Sequence, residues 1–258
     1  MNRIVSGAVL ALLSATHLTG IAQSCSKASP AHTVALLELY TSEGCDSCPP
    51  ADRFVSALYK TSGLDADRVV PISLHVDYWD YIGWKDVFAK PLFTQRQHWL
   101  AELAGSRSVY TPELFVAGRE LRNWYGGTAV AAAVKRINDT PAQADIKITL
   151  DKTADNKLRV NLASKSAQAG KLYFALVENA LVSNVKAGEN RGVTLQHDYV
   201  AREWGEPISL ARGASENFSR QISLPADAAA RSLALTAFVQ TDKGEVLQAL
   251  SLPVCKPL

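Results

Sequence analysis

The chain has 258 residues, 47% of them hydrophobic, and a formal net charge of +2 at pH 7. That is apolar enough for a packed core and too apolar for a disordered chain. So even a charge balance excludes the basic face of a nucleic-acid binder or of a protein held to anionic membranes.

In chain order, the N-terminus reads as a secretory signal. Arg3 supplies the positive start, an apolar stretch runs over 4–18, and Gly20-Ile21-Ala22 offers small residues to a signal peptidase, with the cut after Ala22. Ser14, Thr16 and His17 interrupt the run and argue against a retained anchor. Residues 1–22 are thus a signal peptide, and the mature protein is expected to be soluble and periplasmic or secreted, with no membrane span. The cysteines fit an oxidising compartment. Cys45 and Cys48 form a C-x-x-C, and Cys25 and Cys255, at the two ends of the mature chain, are expected to pair as a structural disulfide. The rival for Cys25 is lipidation, against which Ala22-Gln23-Ser24 lacks the large aliphatic residue of lipoprotein signals.

Residues 33–40 (TVALLELY) read as a buried strand. The turn TSEGCDSC follows, and Pro49-Pro50 suit only the first turn of a helix, predicted over 49–60 with Phe54, Val55 and Leu58 inward. Residues 69–76 make a second buried strand, so the crossover predicts a parallel pair. An aromatic loop spans 77–84, a helix restarts at Pro91 and closes at Gly105, 109–118 enter a hairpin, and an Ala-rich helix covers 128–138. The order β-α-β-α-β-β-α is the thioredoxin plan. Past Pro141 come short apolar bursts at 146–150, 158–162, 172–177, 195–200, 218–224, 233–240 and 246–252, with Asp242-Lys243-Gly244 as a hairpin turn. The expected fold class is an α/β thioredoxin-like domain over 33–141 followed by a smaller all-β sandwich-like domain over 145–258.

The chemistry is expected at the C-x-x-C. Between a buried strand and a helix N-terminus, unpaired N–H groups and the helix dipole favour a thiolate, the form that attacks disulfides. Cys45 is expected to be the exposed nucleophile and Cys48 the buried resolving thiol. Thr111-Pro112 is expected to be a cis bond beside the dithiol, presenting backbone to a substrate strand. Glu38, a carboxylate within an apolar strand, either accepts the Cys48 proton or is held in a salt bridge. Glu43, Asp46 and Asp52 crowd the site and predict a weak oxidant.

Tyr78, Trp79 and Trp84 of the aromatic loop, with Thr111, are candidates for a lid and partner groove, the alternative being packing between domains. Glu189-Asn190-Arg191-Gly192 with His197 and Arg202 reach across to the redox site, bind a ligand, or form a turn with its own hydrogen bonds. A soft metal held by Cys45 and Cys48 with His75, His98 or His197 is the metal alternative, copper before zinc, because only one cysteine pair is present. No Gly-rich phosphate loop, serine elbow or H-E-x-x-H occurs. No cofactor or metal is expected, and the partners are protein or small-molecule thiols and disulfides.

The runs ELYTSEGCDSCPPAD, HVDYWDYIGWKDVFAKPLFTQRQ, VYTPELFVAG and GENRGVTLQHDYVAREW resemble a bacterial family of exported thioredoxin-like proteins catalogued as a domain of unknown function. The resemblance covers nearly the whole mature chain. It implies a thioredoxin-like fold and redox work at Cys45, Cys48 and Pro112, and supplies no substrate. One departure from common thioredoxins is Gly44, which stands where they carry Trp before the nucleophile, so the aromatics of 77–84 are expected to replace that surface. The functional expectation is an exported thiol–disulfide oxidoreductase, with a non-enzymatic binding module or a copper-handling protein as the alternative.

Overall fold

The computed structural model describes residues 24–61, 63–153, 156–224 and 232–254. The expected signal peptide and Cys255 lie outside them. At the centre is β2 (Ala35–Thr41), buried along its whole length, with β3 (Val69–His75) parallel on one side and β4 (Glu113–Val116) antiparallel on the other. Successive strand residues point to opposite faces. Leu37 and Leu39 pack with α1 (Pro49–Ser56) and α4 (Thr128–Asn138), while Leu36 and Tyr40 pack with Phe93 and Leu100 of α3 (Pro91–Leu103). Prolines open α1 and α3, where a missing N–H costs nothing. α1 ends at Ser56, and the predicted helix continues only as the single turn α2 (Leu58–Thr61).

The expected fold class is overturned. The protein is mainly β, with fifteen strands against four α-helices among the described residues. β2, β3 and β4 are the middle of a nine-stranded mixed sheet that runs through both halves of the chain. On one side β4 pairs with β5 (Arg119–Glu120). On the other, β3 meets β11 (Val200–Trp204), followed by β8 (Gly170–Asn179), β14 (Ser232–Gln240) and β15 (Val246–Pro253), while β12 (Ile208–Leu210) pairs with β8. A separate four-stranded sheet holds β1 (Ser24–Ala28), β6 (Ala144–Lys152), β7 (Lys157–Ser166) and β13 (Ser215–Ser223). It packs through Ile148, Leu150 and Val160 on Leu176, Leu235 and Leu250 of the large sheet. β9 (Leu181–Asn184) and β10 (Thr194–His197) form a small hairpin.

The reason is visible in the burial of the late strands. β14 and β15 are buried on both faces for most of their length. Strands of that kind belong inside a sheet covered on both sides. Here α3 covers one face, through Phe93 and Leu100 against Phe238 and Ala249, and the four-stranded sheet covers the other. An apolar run cannot by itself say which sheet it joins. Cys25 lies in β1 with its Sγ 3.8 Å from the Pro253 carbonyl oxygen, and its expected partner, Cys255, is outside the described residues.

Candidate functional site: a covered dithiol backed by buried acids and imidazoles

The end of β2 delivers the chain into the turn 42–48, and Cys48 enters α1 with helical dihedrals. The Cys48 carbonyl accepts from the N–H groups of Ala51 (2.9 Å) and Asp52 (3.1 Å), so the cysteine belongs to the first helical turn. Cys45 and Cys48 are joined as a disulfide with Cα atoms 5.5 Å apart. Thr111-Pro112 is cis. The Thr111 carbonyl oxygen lies 3.7 Å from Cys45 Sγ, and Ser47 Oγ lies 3.3 Å from that sulfur.

One expectation is corrected here: Cys45 is not exposed. Both cysteines have 0% relative exposure, although Asp46 and Ser47 between them face solvent. Two distant segments close over the turn. From the aromatic loop, Trp79 Nε1 donates to Thr111 Oγ1 at 2.8 Å. From the loop before β10, Asn190 Nδ2 donates to the carbonyl oxygens of Glu43 and Cys45, both at 2.9 Å, and Glu189 accepts from the Asp46 N–H at 3.1 Å. The two segments also touch each other, since a Cβ on Gly188 would lie 3.0 Å from Ile82 Cδ1.

Gly44 now has a physical explanation. A Cβ there would sit 3.0 Å from the Trp79 Cβ, so Trp79 fills the space that a larger residue at 44 would need. Tyr78 is half-buried beside the α3 face, and Trp84 donates through Nε1 to Glu43 at 2.7 Å. Of this loop, Tyr81 is the residue turned outward, at 83% exposure.

Glu38 is placed away from the dithiol. It points to the α3 face of β2, where Arg96 Nε donates to it at 2.7 Å and the Tyr40 hydroxyl at 3.2 Å. Arg96 Nη2 also donates to Gln240 at 2.8 Å, and the guanidinium lies over Tyr173, Trp204 and Phe238. This is the salt-bridge reading, and the proton-acceptor role of Glu38 lapses for lack of access to Cys48.

Other acids surround the turn. Glu43, Asp52, His75, Asp86 and His197 are all buried together beside it. His75 Nδ1 and Asp86 Oδ2 are 2.7 Å apart, and Asp86 Oδ2 also accepts from the Glu43 N–H at 2.9 Å. Burial alone would lower the His75 pKa, but the surrounding carboxylates, Asp86 foremost with Asp52 and Glu43, together outweigh that and raise it. Burial would likewise raise Asp86, yet its imidazole partner and two backbone N–H donors hold it low. His197 stacks edge-on against His75 with ring centroids 4.9 Å apart. Its Nε2 is 3.3 Å from Glu43 Oε1 and its Nδ1 is 3.8 Å from Asp52 Oδ2, yet neither ring nitrogen has an aligned hydrogen bond. Burial pushes the Asp52 carboxyl up, with His197 and His75 pulling the other way.

A further acid was missed in the sequence. Glu113, next to Pro112, is fully buried, accepts from Gln97 Nε2 at 2.7 Å, and is pushed up to about 7 by burial. Its signal was a charged residue opening an apolar strand. His98 is exposed on α3, away from His75 and His197. Among the described residues no group of three or more His, Cys, Asp and Glu side chains is arranged to hold a metal ion, and no helix is long and apolar enough to cross a membrane.

Fold and site together define a mainly β protein in which one mixed sheet carries a covered dithiol at a strand-to-helix turn. The chain belongs to a family described as proteins of unknown function (DUF1223), whose model matches residues 36–240. A crystal structure of protein AGR_C_4864 from Agrobacterium tumefaciens is similar, with a TM-score of 0.60 and 21% identity over 89% of this chain and 97% of that one, a likeness of fold. A β-glucosidase from Kluyveromyces marxianus aligns over 42% of this chain and 14% of its own with 18% identity and a TM-score of 0.21, too little to inform the fold. No curated protein matches.

Proposed function

We propose that this is an exported thiol–disulfide oxidoreductase that exchanges disulfides with protein or small-molecule thiols through Cys45 and Cys48. Periplasmic or secreted localisation comes with this reading, from the N-terminal signal pattern and the cysteine usage. The likeness to thioredoxins lies, in this reading, in the dithiol chemistry and in Pro112, not in the fold. The observation that carries it is the disulfide at the first turn of α1 with the Thr111 carbonyl 3.7 Å from Cys45 Sγ. There the helix N-terminus favours the thiolate that exchange requires. The half-buried backbone at Thr111-Pro112 lies beside Cys45 and would offer pairing to an extended partner once the covering segments part.

Because Cys45 is covered, a partner gains access only when segments 77–84 and 185–192 part. The covering contacts are hydrogen bonds from Trp79, Trp84, Asn190 and Glu189, each worth about 1 kcal/mol net, with side-chain packing of Trp79 and Ile82. An opening of that cost is compatible with turnover. The test is reduction of insulin and oxidation of a reduced peptide by the purified protein. The Cys45→Ser variant is expected to abolish both, and Cys48→Ser to accumulate a mixed disulfide at Cys45. Stoichiometric Cu(I) retention without exchange in the wild type would replace this reading with metal handling.

A further inference from the structure

We infer that Asp52, positioned by His197, exchanges the proton of the Cys48 thiol, and that the buried acid–imidazole cluster behind the dithiol is its proton store. This rests on the dithiol reading above and names the groups that work with it. Cys48 and Asp52 are four residues apart in a continuous helical turn, joined by the Asp52 N–H to Cys48 carbonyl bond of 3.1 Å. Side chains so spaced lie one above the other on a single face. The Asp52 carboxyl is 6% exposed and its only close ionic neighbour among the described residues is His197, at 3.8 Å.

The charge count in the cluster supplies the second argument. Asp52 is faced by His197 from β10, His75 from β3, Asp86 from the loop before α3, and Glu43 from the turn before α1. Three carboxyls meet two imidazoles. Fully ionised, they would leave an unpaired buried charge, which a protein interior penalises heavily. Holding an extra proton within the cluster removes that penalty. Glu43 Oε1, His75 Nε2 and both His197 ring nitrogens lack an aligned hydrogen-bond partner among the described residues. A cluster with several protonation sites and unfilled hydrogen-bonding positions can pass a proton at small cost. Burial raises the Asp52 carboxyl against the pull of His197 and His75, the direction that a proton-exchanging group beside Cys48 needs.

The steps balance. A partner thiolate attacks Cys45 Sγ, the new S–S bond forms, the Cys45–Cys48 bond breaks, and its electron pair leaves on Cys48 Sγ. Cys48 Sγ then takes the Asp52 proton. In the reverse direction the Cys48 thiol returns that proton to Asp52. Its thiolate attacks Cys45 of the mixed disulfide, and the partner sulfur leaves with the electron pair as a thiolate. The oxidant or reductant is the partner's own disulfide or dithiol.

The experiment measures the rate of reduction by dithiothreitol against pH for the wild type, Asp52→Asn and His197→Gln, with thermal unfolding run alongside. Asp52→Asn is expected to slow exchange by roughly 100-fold and to remove a break from the pH–rate profile. Asp52→Glu is expected to restore the profile in part, and His197→Gln to shift the break without abolishing exchange. Should Asp52→Asn not fold, the His197→Gln profile decides alone. Wild-type exchange with profiles identical in all folded variants overturns this inference and leaves the dithiol function standing, whereas a wild type that does not exchange fails at the earlier step.

Discussion

Two buried charge centres flank β2, and they are built differently. On the α3 face, Glu38 and Arg96 form a compact pair, with Gln240 and Tyr40 hydrogen-bonded to it and aromatic rings packed on the guanidinium. One carboxylate meets one permanent cation. On the other side, Glu43, Asp52, Asp86, His75 and His197 gather five titratable groups, with both ring nitrogens of His197 unaligned. The first centre is a brace with one open position, Glu38 Oε2, and the second has an excess of acids and open positions on Glu43, His75 and His197, the arrangement that proton traffic needs. Burial of a carboxylate is thus a poor guide to chemistry until its partners are known.

The largest effect should come from breaking the brace. Glu38→Gln leaves Arg96 buried without its counter-ion and is expected to cost about 3–5 kcal/mol in denaturant unfolding. The pH profile of exchange in the folded variant is expected to stay as in the wild type. A shifted profile would return Glu38 to the redox site.

Glu113 gives the next effect. Its pKa is raised from 4.5 to about 7 in the folded protein, so between those values the native state holds a proton that the unfolded chain has lost. Stability conferred by that proton is full below about pH 4.5 and is lost as pH rises through about 7. The fall should approach about 3 kcal/mol at most, and Glu113→Gln should flatten it. A wild-type unfolding free energy that rises over this window, with no change on substitution, would contradict the assignment.

Smaller effects are expected at the cover. Asn190→Ala removes two hydrogen bonds to the dithiol turn. It should cost about 1–3 kcal/mol and speed disulfide reduction several-fold by loosening 185–192. Gly44→Ala brings a Cβ to 3.0 Å from Trp79 and should likewise raise the reduction rate, by displacing Trp79, with about 1 kcal/mol lost in thermal unfolding. Slower reduction in both variants would show that these segments assist exchange rather than guard it.

Much of the site was legible locally. The C-x-x-C before Pro49-Pro50 and the Thr111-Pro112 step each carry their signal within a few residues. The elements around them followed from apolar runs and prolines, since β3 and α4 fall where periodicity put them. The remainder depends on contacts between distant parts of the chain. Asn190 reaches the dithiol turn from 145 residues away and His197 reaches Glu43 and Asp52 beside it, and the alternative in which they form only their own turn gave no sign of it. The Glu38 question was decided by Arg96, 58 residues on. The continuity of the large sheet depends on β11 meeting β3 at Val200 and Ser73, a single register pair that no local pattern specifies. Cys45 is covered for the same reason: both segments that close over it come from elsewhere in the sequence.

The central claim is that the Cys45–Cys48 disulfide opens and re-forms in the folded protein. The most direct measurement equilibrates the native protein with glutathione mixtures of graded ratio and reads the alkylated thiols by mass. A reversible two-electron transition is expected at Cys45 and Cys48 while the fold persists, at a potential below that of the strongest periplasmic oxidants. A disulfide that stays closed across every mixture and opens only when the protein is denatured would mark it as a structural bridge and contradict the account.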